Sequence, residues 1–350
     1  MQFLLTLILF ILILGVIVLV HEFGHFFFAR KFGVHAYEFS IGMGPKIWGT
    51  KPKKGKTPFN IRAIPIGGYV SLAGEEIDDD DKSVPKEAKL FNKPIWQRFL
   101  IMFFGPMNNF ILAVVILFFM ALIWGGSTMK PVISEVESSS AAEKAGIQNG
   151  DVVLKINGHK VATNDDISLF LALADPTKEN TFVMDRNGKE ETIKVKPKKE
   201  EVDGKTSYHY GIVLSQEKTS GIINAFVYTF RKTGSIFKQM YFTVLNLFTG
   251  GIKLTQLSGP VGIYSVVGKS RSAGVQSIIY LMAFLSINVG FINLLPIPAF
   301  DGGHILFILI ELIKGSPVKP ELENKIHTVF LILLLLLMLY ITFNDILRLF

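Results

Sequence analysis

Long apolar stretches, separated by polar segments, set the organisation of the chain. A membrane-spanning helix needs about 20 apolar residues. Four stretches are of this kind: residues 4–28, 99–124, 277–295 and 327–343. The third runs into a continuation rich in proline and glycine, and the fourth extends toward the terminus. The pattern predicts an α-helical membrane protein with about four transmembrane helices.

The polar segment between the first two apolar stretches has a different pattern. Residues 38–48 and 59–72 alternate apolar and small residues and contain many glycines, which is typical of β-hairpins. Their apolar content predicts a membrane-associated β-hairpin region; the alternative is a small cytoplasmic cap without substrate contact. Thirteen Lys and Arg residues between positions 30 and 98 favour a cytoplasmic location for this segment.

A soluble insert follows the second apolar stretch. Residues 131–214 read as short strands with one or two helices, and residues 145–147 and 150–158 resemble parts of a PDZ domain. Residues 210–212 would form the loop that receives a peptide carboxylate. Two interpretations stay open: the insert binds a PDZ ligand, or it excludes bulky ectodomains and binds nothing. In residues 219–268 aromatic and basic residues alternate, which predicts helices at the membrane interface, with a fifth span as the alternative.

Composition and charge agree with a membrane protein. Hydrophobic residues make up 49% of the chain, and charged residues only 19%, below the roughly 25% of soluble domains. The net charge of +7 reflects membrane topology rather than binding of nucleic acid, because no basic stripe interleaves with stacking aromatics. There is no cysteine, so a metal would have to be held by nitrogen and oxygen ligands.

The first apolar stretch ends in the sequence His21-Glu22-Phe23-Gly24-His25. Four residues advance a helix by just over one turn, so His21 and His25 would project from one face and could share one zinc ion. Glu22 would take a proton from the water that the metal activates. The alternative is a pair of histidines hydrogen-bonded inside a helical bundle, but ionisable residues within membranes are costly and usually functional.

A catalytic zinc site needs a third protein ligand, and Asp301 is the best candidate. It follows the third apolar stretch, in the segment Asn293–Gly303 with two prolines and a pair of glycines. Proline disturbs the helix, and glycine permits close backbone approach, which suits a site inside the protein rather than a lipid-facing helix. The alternative is an acidic residue at the exit of the membrane.

Three motifs, in a fixed order along the chain, resemble those of a known protein family. They are His21-Glu22-Phe23-Gly24-His25, Gly105-Pro106-Met107-Asn108-Asn109, and the segment from Asn293 to Gly303. Together they resemble the intramembrane zinc metalloproteases of the site-2 protease family, and within it the bacterial regulator-of-sigma-factor proteases with a single PDZ domain. The resemblance runs nearly end to end. One departure is visible: Phe300 stands where family members commonly have leucine before the aspartate.

The resemblance implies a function and a set of site residues. His21, His25 and Asp301 would bind Zn²⁺, Glu22 would be the general base, and Asn293 would hold the substrate backbone. Asn109 is a weaker candidate for substrate binding or for fixing a neighbouring segment. His304 is expected to be structural rather than a ligand.

The resemblance also implies the substrates and the location. The protein would sit in the bacterial cytoplasmic membrane as a multi-pass protein. It would cleave transmembrane segments of single-pass membrane proteins, such as anti-sigma factors or signal-peptide remnants, with the lipid bilayer as its other partner and no nucleic acid. Two competing classes are a membrane-bound PDZ scaffold with a vestigial metal site, and a zinc hydrolase acting on lipids or prenylated peptides.

The predicted division of the chain follows these motifs. Residues 1–30 are the first transmembrane helix with HExxH, 31–97 the cytoplasmic and membrane-associated β-hairpin region, 98–126 the second transmembrane helix, 127–216 an extracytoplasmic PDZ-like domain, 217–275 interfacial amphipathic helices, 276–314 the third transmembrane helix with NxxPxPxFDGG, and 326–350 the fourth.

Overall fold

The computed structural model describes residues 2–51, 56–75, 82–202 and 205–348. Within these ranges four helices are long and apolar enough to cross a membrane: Gln2–Lys31, Ile95–Trp124, Val275–Leu294 and Glu321–Leu347. The prediction of an α-helical membrane protein with about four spans is thereby confirmed. The alternative of a fifth span gains no support, because no described residue between 219 and 268 belongs to such a helix.

Helices dominate the described part of the chain, and the strands are short apart from the first two. The α-helices are α1 (Gln2–Lys31), α2 (Ile95–Trp124), α3 (Ala141–Ala145), α4 (Asn164–Leu173), α5 (Ile222–Thr249), α6 (Pro260–Ser272), α7 (Val275–Leu294), α8 (Asp301–Lys314) and α9 (Pro320–Leu347). The strands are β1 (Ala36–Gly49), β2 (Phe59–Leu72), β3 (Gly126–Ser127), β4 (Ile133–Val136), β5 (Val152–Ile156), β6 (His159–Lys160), β7 (Asn180–Arg186), β8 (Lys189–Val195), β9 (Lys198–Val202), β10 (Lys205–His209), β11 (Ile212–Leu214) and β12 (Lys218–Thr219).

The chain divides into two compact units. One contains residues 1–116 and 253–350, and the other contains residues 117–252. The first unit holds the HExxH and Asp301 motifs, so it is called the membrane unit below. The second holds the soluble insert together with α5, and is called the insert unit.

Helix packing in the membrane unit combines apolar contacts with a few buried polar ones. Ile13 and Ile17 of α1 are buried in one cluster with residues of α6 and α7. Asp345 of α9 accepts hydrogen bonds from the backbone N–H groups of Gly259 and Gly262, each at 2.8 Å. These N–H groups lie at the start of α6 and have no partner within the helix, so the carboxylate satisfies them and fixes α9 to α6.

The hairpin of the membrane unit is long and irregular. Strands β1 and β2 pair in antiparallel fashion with several register shifts, which bend and twist a strand pair locally. Near its base, Phe39 and Leu72 are buried in a cluster with Ala29 of α1 and Ile101 of α2. Phe39 pairs with both Val70 and Phe59, so the hairpin folds back on itself. Ile47, in the later part of β1, is 70% exposed. The hairpin therefore combines a buried part packed on α1 and α2 with an exposed apolar part.

The insert unit is built around an antiparallel sheet in the order β6-β5-β7-β8. Its core includes Ile156 of β5 and Phe182 of β7, which pack with Ile167 and Phe170 of α4. Helix α4 begins with a capping box, in which Thr163 and Asp166 exchange side-chain and backbone hydrogen bonds, a common device for starting a helix. Buried and partly buried residues alternate along β7, as expected for a strand with one face against a core.

Helix α5 is tied to α4 by charge and by aromatic packing. Lys232 donates to Asp165, and Lys238 donates to Asp166, each at 2.7 Å. Phe242 packs edge-on against Phe170 with ring centroids 5.2 Å apart. Two of the basic residues that interrupt the apolar pattern of residues 219–268 thus have partners within the insert unit.

Asp151 is a buried charge of the insert that is paired with Arg186. Arg186 binds its carboxylate through Nε at 2.8 Å and Nη2 at 2.7 Å. Burial alone would raise the pKa of Asp151, but the hydrogen bonds and charge of Arg186, with the N–H of Gln148, outweigh it and lower that pKa. This contribution to stability is present above the unfolded-state pKa of about 4 and is lost as the pH falls through the lower folded-state value.

We expect Asp151→Asn to destabilise the insert by roughly 1.5–3 kcal/mol at pH 7, the usual range for a hydrogen bond to a charged group. The difference from wild type should shrink as the pH falls below 4, because the wild-type carboxylate then becomes protonated too. Hydrogen–deuterium exchange of β5 and β7 in the detergent-solubilised chain measures this. Equal protection of the two proteins at pH 7 would contradict the expectation.

Candidate active site

Helix α1 places His21 and His25 on one face, four residues apart. Their Nε2 atoms are 3.3 Å from each other, and both side chains are buried. The spacing of the motif therefore has the structural consequence that helical periodicity predicts.

Asp301 lies beside this pair although it is distant in the sequence. Its Oδ2 is 3.1 Å from Nε2 of His21, and its Oδ1 is 3.4 Å from Nε2 of His25. Asp301 is the first residue of α8, where the N-terminal end of a helix dipole favours a carboxylate. The described residues thus bring together the three side chains that the sequence singled out as ligands.

The geometry of this cluster fits a zinc ion. The two Nε2 atoms are 3.3 Å apart, and they lie 3.1 and 3.4 Å from different oxygens of the Asp301 carboxylate. One ligand atom from each of the three residues lies within 4.8 Å of the other two. Tetrahedral zinc with bonds of about 2.0–2.1 Å separates its ligand atoms by about 3.3–3.4 Å. Oδ2 of Asp301 is buried and accepts no hydrogen bond from the described residues, as expected of an atom meant for a metal. Two imidazoles and one carboxylate are also a known catalytic zinc set.

The hydrogen bond of the second histidine favours metal binding through Nε2. Nδ1 of His25 lies 2.8 Å from the carbonyl oxygen of Ile101. An imidazole nitrogen next to a carbonyl carries the hydrogen, so the lone pair is left on Nε2. The carbonyl belongs to α2, and this helix therefore orients a ligand of α1.

Asn109 of α2 supports the first histidine in a similar way. Its Nδ2 is 3.3 Å from Nδ1 of His21, and its buried Oδ1 has no hydrogen-bond partner among the described residues. A half-turn of the amide would give Oδ1 the N–H of His21 and leave Nε2 free for a metal. Ser286 of α7 donates to the backbone carbonyl of Asn109 at 2.8 Å. The fully buried position of Asn109 favours the second of its two predicted roles, fixing a neighbouring segment.

Two glycines let α1 and α2 approach closely at the site. A Cβ atom at Gly24 would lie 2.0 Å from the carbonyl oxygen of Phe104, and one at Gly105 would lie 2.1 Å from Nε2 of His25. Neither distance leaves room for a methyl group. Asn108, also in the Gly-Pro motif, donates to the carbonyl of Val20 at 3.2 Å. The motif therefore acts as a contact surface for α1.

Glu22, next to His21 in α1, contacts the hairpin. Its Oε2 accepts a hydrogen bond of 3.1 Å from the backbone N–H of Val70 in β2. Because Val70 is buried and pairs with Phe39 of β1, the hairpin is held next to the carboxylate. This contact could not be predicted from the sequence, because no motif joins the two segments.

The remaining predicted residues lie outside the three-residue cluster. Asn293 is in the last turn of α7 and is half-buried. His304 lies one turn after Asp301 in α8, and its Nδ1 is 3.6 Å from Oε1 of Glu323. This agrees with the expectation that His304 is not a ligand of the site.

These features define a metallohydrolase site on a membrane helix, and comparisons with known proteins identify its family. The model of Peptidase family M50 matches residues 9–337. The chain is 33% identical to the "Probable protease eep" of Enterococcus faecalis over an alignment of 426 positions, with 99% of each protein covered. It is 32% identical to the "Regulator of sigma-W protease RasP" of Bacillus subtilis over an alignment of 422 positions, again with 99% of each covered.

A shorter relative supports the same assignment. The Fusobacterium nucleatum protein named "Putative zinc metalloprotease FN1322" is 37% identical over 343 residues, which cover 97% of this chain and 98% of the relative. The chain belongs to Peptidase family M50, the site-2 protease family. It is a membrane-embedded zinc metalloprotease, and its cofactor is Zn²⁺.

Proposed function

We propose that this protein cleaves transmembrane segments of single-pass membrane proteins. The observation that carries the proposal is the position of the cluster of His21, His25 and Asp301. His21 lies about 30 Å from the start of the membrane-spanning helix α1. Asp301 begins α8, which follows the membrane-spanning helix α7. A peptide bond that reaches this cluster is at or within the depth of the bilayer.

In this proposal the histidines and Asp301 hold the zinc, and Glu22 handles protons. Bound zinc supplies a Lewis acid that acidifies water and polarises a carbonyl group. The carboxylate of Glu22 takes the proton from water and returns it to the leaving amine. Asn109 and the carbonyl of Ile101 keep the two imidazoles oriented, so the ligands are arranged before a substrate enters.

The hairpin is suited to unwinding a helical substrate. In a transmembrane helix the peptide groups are occupied by internal hydrogen bonds. Pairing with the edge of a strand would break these bonds and extend the substrate backbone. The contact between Glu22 and Val70 holds β2 beside the proton acceptor, and Trp48, 59% exposed, is the type of residue that sits at a membrane interface. Asn293 would hold the backbone of the extended peptide.

We infer that residues 127–216 form a PDZ-like domain on the extracytoplasmic side. Its four-stranded sheet and α4 support this inference. The carbonyl oxygens of Tyr210 and Gly211 accept hydrogen bonds from the N–H groups of Ala142 and Glu137, respectively. The loop proposed to receive a carboxylate is therefore held by the rest of the insert. The insert would limit which ectodomains are accepted.

The proposed location is the cytoplasmic membrane of a bacterium. The relatives named above are bacterial, and one is named as a regulator of sigma-W. Anti-sigma factors with one transmembrane helix and signal-peptide remnants are therefore the substrate classes that we propose.

Reconstitution with a defined substrate tests this function. The purified chain is placed in liposomes with a single-pass protein whose ectodomain has been shortened, and mass spectrometry locates the cleaved bond. We expect one cut inside the apolar segment, lost after treatment with a zinc chelator and regained when Zn²⁺ is added back. A helix-stabilising leucine run in the substrate should slow the cut, because unwinding becomes harder.

A substrate with a full-length ectodomain is the matched control, and it should be cleaved more slowly. Cleavage only in aqueous loops, or turnover of prenylated peptides or lipids in place of the apolar segment, would contradict the proposal.

A further inference from the structure

A second cluster of ligand-type side chains lies at the beginning of α9. One nitrogen of His304, one nitrogen of His327 and a carboxylate oxygen of Glu323 all lie within 4.8 Å of one another. This spacing alone would suit a second metal ion. The hydrogen bonding of His327 argues for a different role.

His327 accepts a hydrogen bond from the protein backbone. Its Nδ1 is the acceptor for the N–H of Ala299, at 3.1 Å. A neutral imidazole that accepts at Nδ1 carries its hydrogen on Nε2. A metal-binding histidine has the opposite arrangement, because its second nitrogen donates to a neighbour. Nε2 of His327 is buried without a hydrogen-bond partner among the described residues, 3.9 Å from Glu323.

The residue that His327 holds has an unusual backbone conformation. Ala299 has a φ angle of 84°, a left-handed value that side-chain-bearing residues rarely adopt. It lies two residues before Asp301. The turn is tight, because a Cβ atom at Gly302 would be 2.1 Å from the carbonyl oxygen of Leu295. Such a conformation persists only where the surroundings enforce it, often at functional sites.

The imidazole of His327 also contacts α8 beyond Asp301. The rings of His304 and His327 stack with centroids 4.2 Å apart and planes 20° apart. His304 follows Asp301 by one turn of α8, and Glu323, which is buried, lies 3.6 Å from its Nδ1. His327 thus contacts the chain both before and after Asp301.

We propose that His327 is a positioning residue for Asp301. Its hydrogen bond keeps Ala299 left-handed, and its ring supports His304, so the carboxylate between them reaches both histidines of α1. The inference rests on the proposed role of Asp301 as a zinc ligand, but it needs no assumption about the substrate. The C-terminal helix would therefore shape the metal site without contributing a ligand.

Three substitutions at one position separate this role from a general packing role. His327→Leu keeps most of the volume and removes the acceptor. His327→Asn places an amide oxygen near the position of Nδ1, whereas His327→Gln places it near that of Nε2. We expect zinc affinity to fall about 10- to 100-fold in the Leu and Gln variants, as for other residues that orient metal ligands, and to stay within about threefold of wild type in the Asn variant.

The readouts are the zinc dissociation constant, measured by chelator competition, and the visible spectrum of the Co²⁺-substituted protein. Both report on the site without a substrate. The spectrum of His327→Leu should change, and its kcat should fall more than its KM changes. Wild type should bind one zinc per chain; two would assign the second cluster to a metal and overturn the proposal.

Ala299→Gly supplies a rescue. Glycine adopts a positive φ without assistance, so adding this substitution to His327→Leu should restore part of the zinc affinity, whereas a variant that fails to fold would not recover. Wild-type affinity and spectrum in His327→Leu, or no difference between the Asn and Gln variants together with no rescue, would overturn the proposal. Normal zinc binding by wild type without cleavage of any apolar segment would refute the proposed function and leave this inference standing.

Discussion

Glu22→Gln is expected to abolish peptide cleavage while zinc remains bound. Glutamine has nearly the same shape, and its Oε1 can still accept the N–H of Val70 that Glu22 accepts at 3.1 Å. The ligand cluster is unchanged. What is lost is the proton acceptor, and general base catalysis contributes about 10²- to 10⁴-fold to a rate. Turnover of a single-pass substrate and zinc content by mass spectrometry, measured on the same preparation, check both parts.

Glu87→Gln is the matched control, because it makes the same change of charge at an exposed position outside the site. It should leave turnover and zinc content unchanged. Turnover of Glu22→Gln near that of the control would mean that another group accepts the proton. Loss of zinc from Glu22→Gln would mean that the carboxylate helps to hold the metal or the fold.

Much of the membrane unit could be predicted from the sequence because its signals are local. The length of an apolar stretch decides whether a helix can cross the bilayer, and helical periodicity decides that His21 and His25 share a face. Asp301 is different. The residues near it indicate an interior site, but only the resemblance to a family connects it with α1.

The contacts that orient the site residues, called its supports below, could not be predicted, because each joins segments that are distant in the sequence. Asn109 and His21 are 88 positions apart, and Val70 is 48 positions from Glu22. His327 has no sequence context comparable to that of His304, yet it accepts a hydrogen bond from the turn that leads to Asp301. A backbone acceptor or donor leaves no pattern in the side chains, so the sequence cannot show where such a bond will form.

The supports explain why the site can exist in a membrane. Two imidazoles and a carboxylate are costly in an apolar setting unless each polar atom has a partner. Here the outer nitrogens of the histidines face Asn109 and the carbonyl of Ile101, and the inner atoms face one another. Helix α2 supplies both outer partners, which makes the fit between α1 and α2 the property on which the site depends.

Gly105→Ala adds only one methyl group, but it is expected to damage the metal site strongly. The added methyl group would lie 2.1 Å from Nε2 of His25, so either the imidazole must turn away or α2 must move. Misplacement of a reacting group by about 1 Å can cost about 100-fold in rate, and we expect losses of at least about that size in zinc affinity and in turnover. Chelator competition and a cleavage assay measure the two quantities.

Gly15→Ala is the matched control for this substitution. Gly15 lies in α1, and a Cβ atom there meets nothing within 4 Å, so the exchange should leave zinc affinity unchanged and improve helix propensity by up to about 1 kcal/mol. The two variants add the same methyl group to membrane helices and differ in what it touches. Wild-type zinc affinity in Gly105→Ala would show that α2 does not press against His25, and the account of the site as a close contact of α1 and α2 would be wrong.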